Sequence, residues 1–300
     1  MAKRVCAGIV THNRKELLRE CLYAILSQSR PPDHVLVVDN GSTDGTLEML
    51  KEEFPKVEVL PLGENRGATT GYLLNIRYAL ENGFDWVWIM DSDIEPTPQA
   101  LEKLLEASEH LANENPAILA SRILWTDGSL HPMNYPWPRP FPLAQYLHYR
   151  AMGFPPIRWA AFTSILIASW AVQRYGFPCP EFFIRADDLE YTGRILRNEK
   201  GFWVLNSVAI HKTPTKYTPA SAHPERFFYE VRNRFWAVRG PAYRPLEKGI
   251  LLLHLLGSTL DFLWRTGWRK GWPIIQKGLR AGLTTSPDWK ACQAFKGFKG

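Results

Sequence analysis

Trp86-Val87-Trp88-Ile89-Met90 runs without a break into Asp91-Ser92-Asp93, and no other stretch restricts the fold so sharply. An apolar run of this kind reads as a strand buried on both faces, as in a parallel sheet. The carboxylates then fall at its carboxyl end, where open α/β sheets bind their ligands. An ionised carboxylate there needs a partner, because burying an unpaired charge is costly. One such partner is a divalent cation carrying a diphosphate, for which hard oxygen ligands suit Mg or Mn. The alternative is a solvated turn with Asp93 capping a helix.

The neighbouring pattern supplies the other layers. Val5–Val10 reads as a first strand, followed by an Asn13-to-Glu16 capping box and a helix with Leu17, Leu18, Cys21, Leu22 and Ile25 at helical spacing. Pro31-Pro32 stops it, and Val35–Val38 is a second strand that delivers Asp39. Asn40-Gly41-Ser42-Thr43-Asp44-Gly45 is turn chemistry before a helix over 46–54. Further strands are expected at 57–60, 117–123 and 202–210, with a buried segment at 159–168 after which Ser169 caps a short helix. Thr97-Pro98 reads as the cap and first residue of a helix running to Leu111. Strands alternating with helices at short intervals give an α/β fold with a mostly parallel, doubly wound central sheet.

Composition bounds the remainder. With 45% hydrophobic and 22% charged residues, the 300-residue chain is globular and can bury a sizeable core. Cys6, Cys21, Cys179 and Cys292 are scattered, as packing residues in a reducing compartment would be, with no disulfide or zinc framework expected. The apolar run behind the basic start is too short for a signal peptide, so a cytoplasmic location is expected. Residues 226–300 carry 14 Lys/Arg against 4 Asp/Glu, a net +10 that leaves −4 on the remainder of a chain totalling +6. This divides the chain into an α/β unit over 1–225 and a basic, Trp-rich helical segment over 226–300. Trp264, Trp268, Trp272 and Trp289 interleave with Arg265, Arg269, Lys270, Lys277 and Arg280. That pattern suits either a helix lying on the inner, anionic surface of a membrane or an appendage packed on the catalytic unit with its charges solvated. Nucleic acid is not expected, since no nucleic-acid motif accompanies the charge.

Three stretches carry open alternatives. Between Trp125 and Arg158 the prolines of Trp137-Pro138-Arg139-Pro140-Phe141-Pro142 exclude regular structure, leaving a lid on the acceptor side or a structural insertion. Asp187 and Asp188 sit at the start of a helix, where the dipole favours a carboxylate, so they are either plain capping residues or functional ones. His211 ends the last strand and can be structural or a ligand.

Val10-Thr11-His12-Asn13-Arg14, Val37-Val38-Asp39-Asn40-Gly41-Ser42-Thr43-Asp44-Gly45-Thr46, Asn65-Arg66-Gly67, Asp91-Ser92-Asp93 and Asp187-Asp188-Leu189-Glu190 together resemble family 2 glycosyltransferases of the GT-A fold. Order and spacing match from residue 5 to about 211, and the Asp39 stretch is the most specific piece. Phe227–Arg234 looks like the rhamnosyltransferase and galactofuranosyltransferase branch.

The resemblance implies an inverting, metal-dependent transfer of a sugar from a UDP- or dTDP-sugar donor to a glycan or lipid-linked acceptor of the cell envelope. It implies that Asp39 accepts hydrogen bonds from the base or ribose, with Thr11, Arg14 and Asp44 around the same pocket. Arg66 and Gly67 lie near the donor phosphates or ribose. Asp91 and Ser92 contact the donor, Asp91 also entering the metal shell, while Asp93 and His211 ligate Mn or Mg. Asp188 matches the family's catalytic aspartate. Asp187 stands where the family usually has Glu and Glu190 where it has Asp, so either Asp187 or Asp188 can be the base.

The residue types agree with that chemistry. Direct displacement needs one carboxylate to take the acceptor's proton, and a cation to stabilise the departing diphosphate. Two separate acidic sites are therefore required, and two are present. A sugar nucleotidyltransferase would carry a Gly-rich, basic loop after the first strand, where Thr11-His12-Asn13-Arg14 stands instead. A non-catalytic sugar-binding protein is the other alternative. A dehydrogenase lacks support without a G-x-G-x-x-G there.

Overall fold

A computed structural model describes residues 3–216, 218, 220, 221 and 223–293. Met1 and Ala2 of the basic start and residues 294–300 of the basic segment lie outside the described residues. The α/β part runs β1 (Val5–Thr11), α1 (Lys15–Leu26), β2 (His34–Asp39), α2 (Thr46–Glu53), β3 (Glu58–Pro61), α3 (Ala68–Glu81), β4 (Trp86–Asp91), β5 (Ile94–Pro96) and α4 (Ala100–His110). It continues through β6 (Ile118–Trp125), β7 (Trp137–Pro138), α5 (Leu143–Ala151), β8 (Ile157–Trp159), β9 (Ile165–Ala168), α6 (Ser169–Tyr175), α7 (Asp187–Leu196) and β10 (Gly201–His211). Helices α8 (Phe227–Arg239), α9 (Pro245–Thr266), α10 (Trp268–Thr284) and α11 (Trp289–Gln293) follow.

One sheet of order β3-β2-β1-β4-β9-β6-β10-β5 forms the spine. β1 to β4 run parallel, as do β6 and β10, while β9 lies antiparallel between β4 and β6 and β5 antiparallel at the β10 edge. The expected α/β, mostly parallel sheet is therefore present. Trp88, Ile89 and Met90 are fully buried, because helices cover both faces of the strand that carries them. Parallel register aligns the carboxyl ends: Val10 pairs with Asp91 and Thr11 with Asp39.

Several local expectations fail for identifiable reasons. No capping box opens α1: Asn13 adopts a positive φ of 51° and its Oδ1 accepts from Thr43 N at 2.7 Å, while Glu16 pairs with Arg19. Thr97 does not cap α4, which starts at Ala100; its hydroxyl donates to Val208 O on β10 instead. Ser169 lies inside α6, its hydroxyl donating to Phe84 O. The proline-rich stretch is partly regular, since Trp137–Pro138 pairs with β8 as a short ribbon and α5 follows within the same excursion.

The cysteine expectation is also corrected. Cys6 and Cys21 are free and buried, but Cys179 and Cys292 are joined as a disulfide across 113 residues of sequence. Phe182, Trp236 and Trp289 pack around them. That cluster brings α11 against the segment before α7, a meeting that spacing in the chain cannot reveal.

Candidate active site

The Asp91-Ser92-Asp93 segment is a bridge across the sheet. β4 ends at Asp91, and the chain then crosses the ends of β9 and β6 to pair β5 with β10, in a register that sets Ile94 opposite His211. Lys212 N donates to Asp93 O at 2.9 Å and fixes the crossing. Asp93 and His211, both about 95% buried, thereby meet with Oδ1 and Nε2 3.4 Å apart.

Their environments differ from that of Asp91. Burial raises the Asp93 carboxyl, but His211 and Arg14 more than offset it and hold it below the ordinary range. Arg14 is ion-paired to Asp93 Oδ2. Asp91 moves the opposite way: burial first, then the charge of Asp93, push its carboxyl up, although the Tyr72 hydroxyl donates to its Oδ1.

A divalent cation fits here on two observations. Asp93 Oδ1 is buried without a hydrogen-bond partner, which a buried carboxylate oxygen seldom is. His211 Nδ1 lies 2.8 Å from Asn134 Oδ1. A proton on Nδ1 is therefore shared with Asn134, which fixes the ring with Nε2 toward Asp93, as the outer partners of metal-bound imidazoles do. Asp91, Asp93 and His211 do not bring three ligand atoms within 4.8 Å of one another, so the three-residue ligand set expected from the sequence is not drawn together, and Asp93 with His211 is the close pair.

A cavity of about 720 Å³ opens beside this bridge. Thr11, Arg14, Gly67, Asp91, Ser92, Asp93 and His211 line it, and so do Asp187 and Asp188. The two acidic sites read from the sequence thus face one space. Asp39, Asp44 and Arg66 do not line it. Asp39 ends β2 fully buried with Oδ1 unpartnered, beside Thr11 and Asn40, which do line the cavity. Asp44 instead accepts from Lys15 N at 3.0 Å and from Thr46 Oγ1, tying two helix starts together. Arg66 is exposed, with Nε 3.1 Å from Glu64 Oε1. The surrounding loops interlock: Asn40 accepts from Arg66 N at 2.8 Å, and Asn65 accepts from Gly67 N at 3.0 Å.

On the far wall, α7 begins at Asp187 after three residues with positive φ, Phe183, Arg185 and Ala186. Such backbone persists only where the surroundings enforce it. Here Asn233 of α8, fully buried, points its amide at three carbonyls, those of Phe182 (2.9 Å), Ile184 (2.8 Å) and Arg185 (2.7 Å). Arg232 adds bonds to the carbonyls of Glu181 (2.8 Å) and Phe182 (3.0 Å), its guanidinium lying 4.0 Å from the Trp236 ring. Asp187 is buried and accepts from Thr69 Oγ1 at 2.8 Å. Asp188 is half-buried and bonded to Leu189 N at 2.7 Å. Burial, and then the neighbouring Asp187, raise the Asp188 carboxyl well above the ordinary range.

Sequence reasoning missed Tyr72, Asn134 and Asn233. Tyr72 reads as an apolar helix position, Asn134 sits in the irregular excursion, and Asn233 carries a signal only through the branch resemblance of its segment. The α9 residues that line the cavity, Gly257, Ser258 and Asp261 among them, lie in a stretch read only for its surface chemistry.

The chain is 27% identical over 270 residues to galactofuranosyltransferase GlfT1 of Mycolicibacterium smegmatis, covering 81% of this chain and 85% of that protein. It is 25% identical over 211 residues to N-acetylglucosaminyl-diphospho-decaprenol L-rhamnosyltransferase of Mycobacterium tuberculosis, covering 62% and 68%. Among solved structures, S. aureus TarS in complex with UDP-GlcNAc superposes with a TM-score of 0.60 at 16% identity, over 92% of this chain and 79% of that one. Mannosyltransferase PcManGT from Pyrobaculum calidifontis, in complex with GDP-Man and Mn2+, superposes with a TM-score of 0.57 at 20% identity, over 97% and 78%. Those structural likenesses speak for the GT-A fold alone. The model of Glycosyl transferase family 2 matches residues 6–160, more than half of the chain. On that match the chain belongs to glycosyl transferase family 2 and is a glycosyltransferase of the GT-A fold.

Proposed function

We propose that this enzyme moves a sugar, with inversion, from a nucleoside-diphosphate donor to a hydroxyl of a glycan acceptor carried on a lipid diphosphate. The observation that carries the reading is the single cavity lined by Asp93 and His211 at one side and by Asp188 at the other. Relatives named for a decaprenol-linked acceptor and for galactofuranosyl transfer support the acceptor class.

Asp93 and His211, backed by Asp91, would hold Mn or Mg. Such an ion supplies Lewis-acid stabilisation of the charge on a departing diphosphate. Thr11 and Asp39 keep buried oxygens without partners at the ends of β1 and β2, where they can receive the donor's base or ribose. Asp188 takes the proton of the acceptor hydroxyl as that oxygen bonds to the anomeric carbon and the carbon–phosphate oxygen bond breaks. Asp188 is preferred over Asp187 as the base because it is the more accessible of the two: each has one oxygen engaged, Asp187 by Thr69 and Asp188 by Leu189 N, but Asp187 is the more deeply buried.

The test is a donor screen in the presence of Mn. UDP-, dTDP- and GDP-sugars are offered with a polyprenyl-diphosphate glycan, and nucleoside diphosphate and glycosylated lipid are measured. Equal release of both with one donor, and inverted anomeric configuration in the product, supports the reading. Pyrophosphate as the released species would overturn it.

A further inference from the structure

Helix α9 has three faces. Leu251, Leu255 and Phe262 are buried, Phe262 stacking on Phe227 of α8 with centroids 3.9 Å apart. His254, Gly257, Ser258 and Asp261 line the cavity. The third face carries Leu246, Leu253, Leu256, Leu260 and Trp264, between 56% and 81% exposed. At 3.6 residues per turn these five fall within an arc of roughly 80°, and that arc borders the Gly257 edge of the cavity face. Trp268, which opens α10 four residues after Trp264, is 61% exposed and stacks on Trp272.

So continuous an apolar surface marks an interaction site. Charge selects the occupant. Arg269 and Lys270 are exposed beside the two tryptophans, and Arg265, exposed as well, is ion-paired with Asp261 of the cavity face. A second copy seated on the stripe would set these cations against themselves, or, reversed, against Arg244 and Lys248 at the other end. A bilayer with anionic headgroups satisfies both components: leucines enter the acyl boundary, tryptophans settle at the headgroup level, and the cations meet phosphates. No described helix is long and apolar enough to cross a membrane. The polar cavity face of α9 likewise suits a helix that lies on the surface.

We infer that the leucine and tryptophan stripe of α9, with Arg269 and Lys270, is the face by which this enzyme lies on an anionic bilayer. Because the stripe adjoins the cavity wall, docking sets the cavity mouth at the headgroups. On the glycosyl-transfer reading above, on which this second step rests, a lipid-linked acceptor keeps its tail in the membrane while its hydroxyl reaches Asp188.

Flotation of the full chain with vesicles of phosphatidylglycerol and phosphatidylcholine, and with phosphatidylcholine alone, tests the face. The variants are Leu253→Ser/Leu256→Ser/Leu260→Ser and Arg269→Gln/Lys270→Gln, none of them in the cavity wall; Arg265 is left in place because it pairs with Asp261. Wild type is expected to float with the anionic vesicles, less so as salt rises. The leucine variant should bind at least about tenfold more weakly with its melting temperature unchanged, and the glutamine variant should lose the preference for phosphatidylglycerol. Wild type left unbound, a leucine variant that floats like wild type, or a wild-type dimer that the leucine substitutions dissociate in the absence of vesicle binding would each overturn the inference. Melting shifts with nucleotide sugars and Mn are read in parallel. Flotation as expected with no such shift upholds the membrane face while the donor reading fails.

Discussion

Asp93 and His211 stand 3.4 Å apart although β4 and β10 are not neighbours in the sheet, because the short β5 carries the chain across from one to the other. If this pair holds the cation proposed above, it does so in the folded chain and not in the unfolded one, and the ion should stabilise by mass action. Mn at a hundred times its dissociation constant should stabilise the wild type by about 2.7 kcal/mol. Asp93→Asn should abolish most of that gain and also lower metal-free stability by removing the Arg14 ion pair. Asn134→Ala, which frees the His211 ring, should weaken Mn binding about tenfold to a hundredfold. Thermal melts titrated with manganese chloride read all three.

Asp188 makes opposite demands on activity and stability. Asp187 and Glu230 raise its carboxyl electrostatically after burial has done so, and Arg234 opposes them. As a base it must be ionised, so kcat/KM should rise with pH through an apparent pKa well above the ordinary aspartate value of about 3.9. A carboxyl raised on folding favours the fold fully below its unfolded pKa, and that contribution is lost as pH rises through the folded value. Asp188→Asn should therefore lose about a hundredfold to ten-thousandfold in transfer while keeping donor affinity. Its melting temperature should exceed that of wild type near neutral pH and converge with it in acid. Full transfer by this variant would reassign the base to Asp187.

The legible parts of the chain were those in which local pattern and final position coincide. Trp86 to Met90 had to be a central strand, and Asp39, Asp91 and Asp93 then had to sit at the carboxyl edge. Nothing local announced that Asp93 would leave β4 and join β10, since β5 is only three residues long. The partners that tune the site were hidden for the same reason. Tyr72, Asn134 and Asn233 act through contacts between distant elements, and each has an ordinary role in its own neighbourhood. The disulfide was masked by scattered cysteines, which spacing alone assigns to packing.

Asn233 holds the loop that aims α7, and the prediction for it separates aim from affinity. Asn233→Ala leaves the carbonyls of Ile184 and Arg185 without their amide donor, while that of Phe182 keeps Arg232 and Ile184 N. Each buried polar group so deprived costs about 1–3 kcal/mol, softened by whatever water enters. The expected result is a lower melting temperature and a kcat reduced at least about tenfold by misplacement of the base, with the nucleotide-sugar dissociation constant unchanged. Asn233→Gln should recover little, because the longer amide cannot reach three converging carbonyls without moving α8. A variant that loses donor affinity in proportion to kcat would show instead that the whole site had collapsed.

Gly67 couples the donor loop to that same segment. It has a φ of +86°, and a Cβ there would lie 2.5 Å from Phe183 O and 2.7 Å from Phe183 Cα. Thr69 N donates to that carbonyl at 3.2 Å, so the start of α3 and the turn before α7 are packed backbone to backbone. Neither side can yield as a flexible side chain would. Gly67→Ala should therefore cost about 1–3 kcal/mol of stability and reduce kcat and donor affinity together, since the displaced loop lines the cavity while the displaced Phe183 precedes Asp187 and Asp188. Gly63→Ala is the control: it shares a positive φ of 74°, but a Cβ there meets nothing within 4 Å. It should lose a comparable conformational term and keep its kinetics. Equal kinetic loss in both variants would show that backbone strain alone, and not the contact with Phe183, links the two loops.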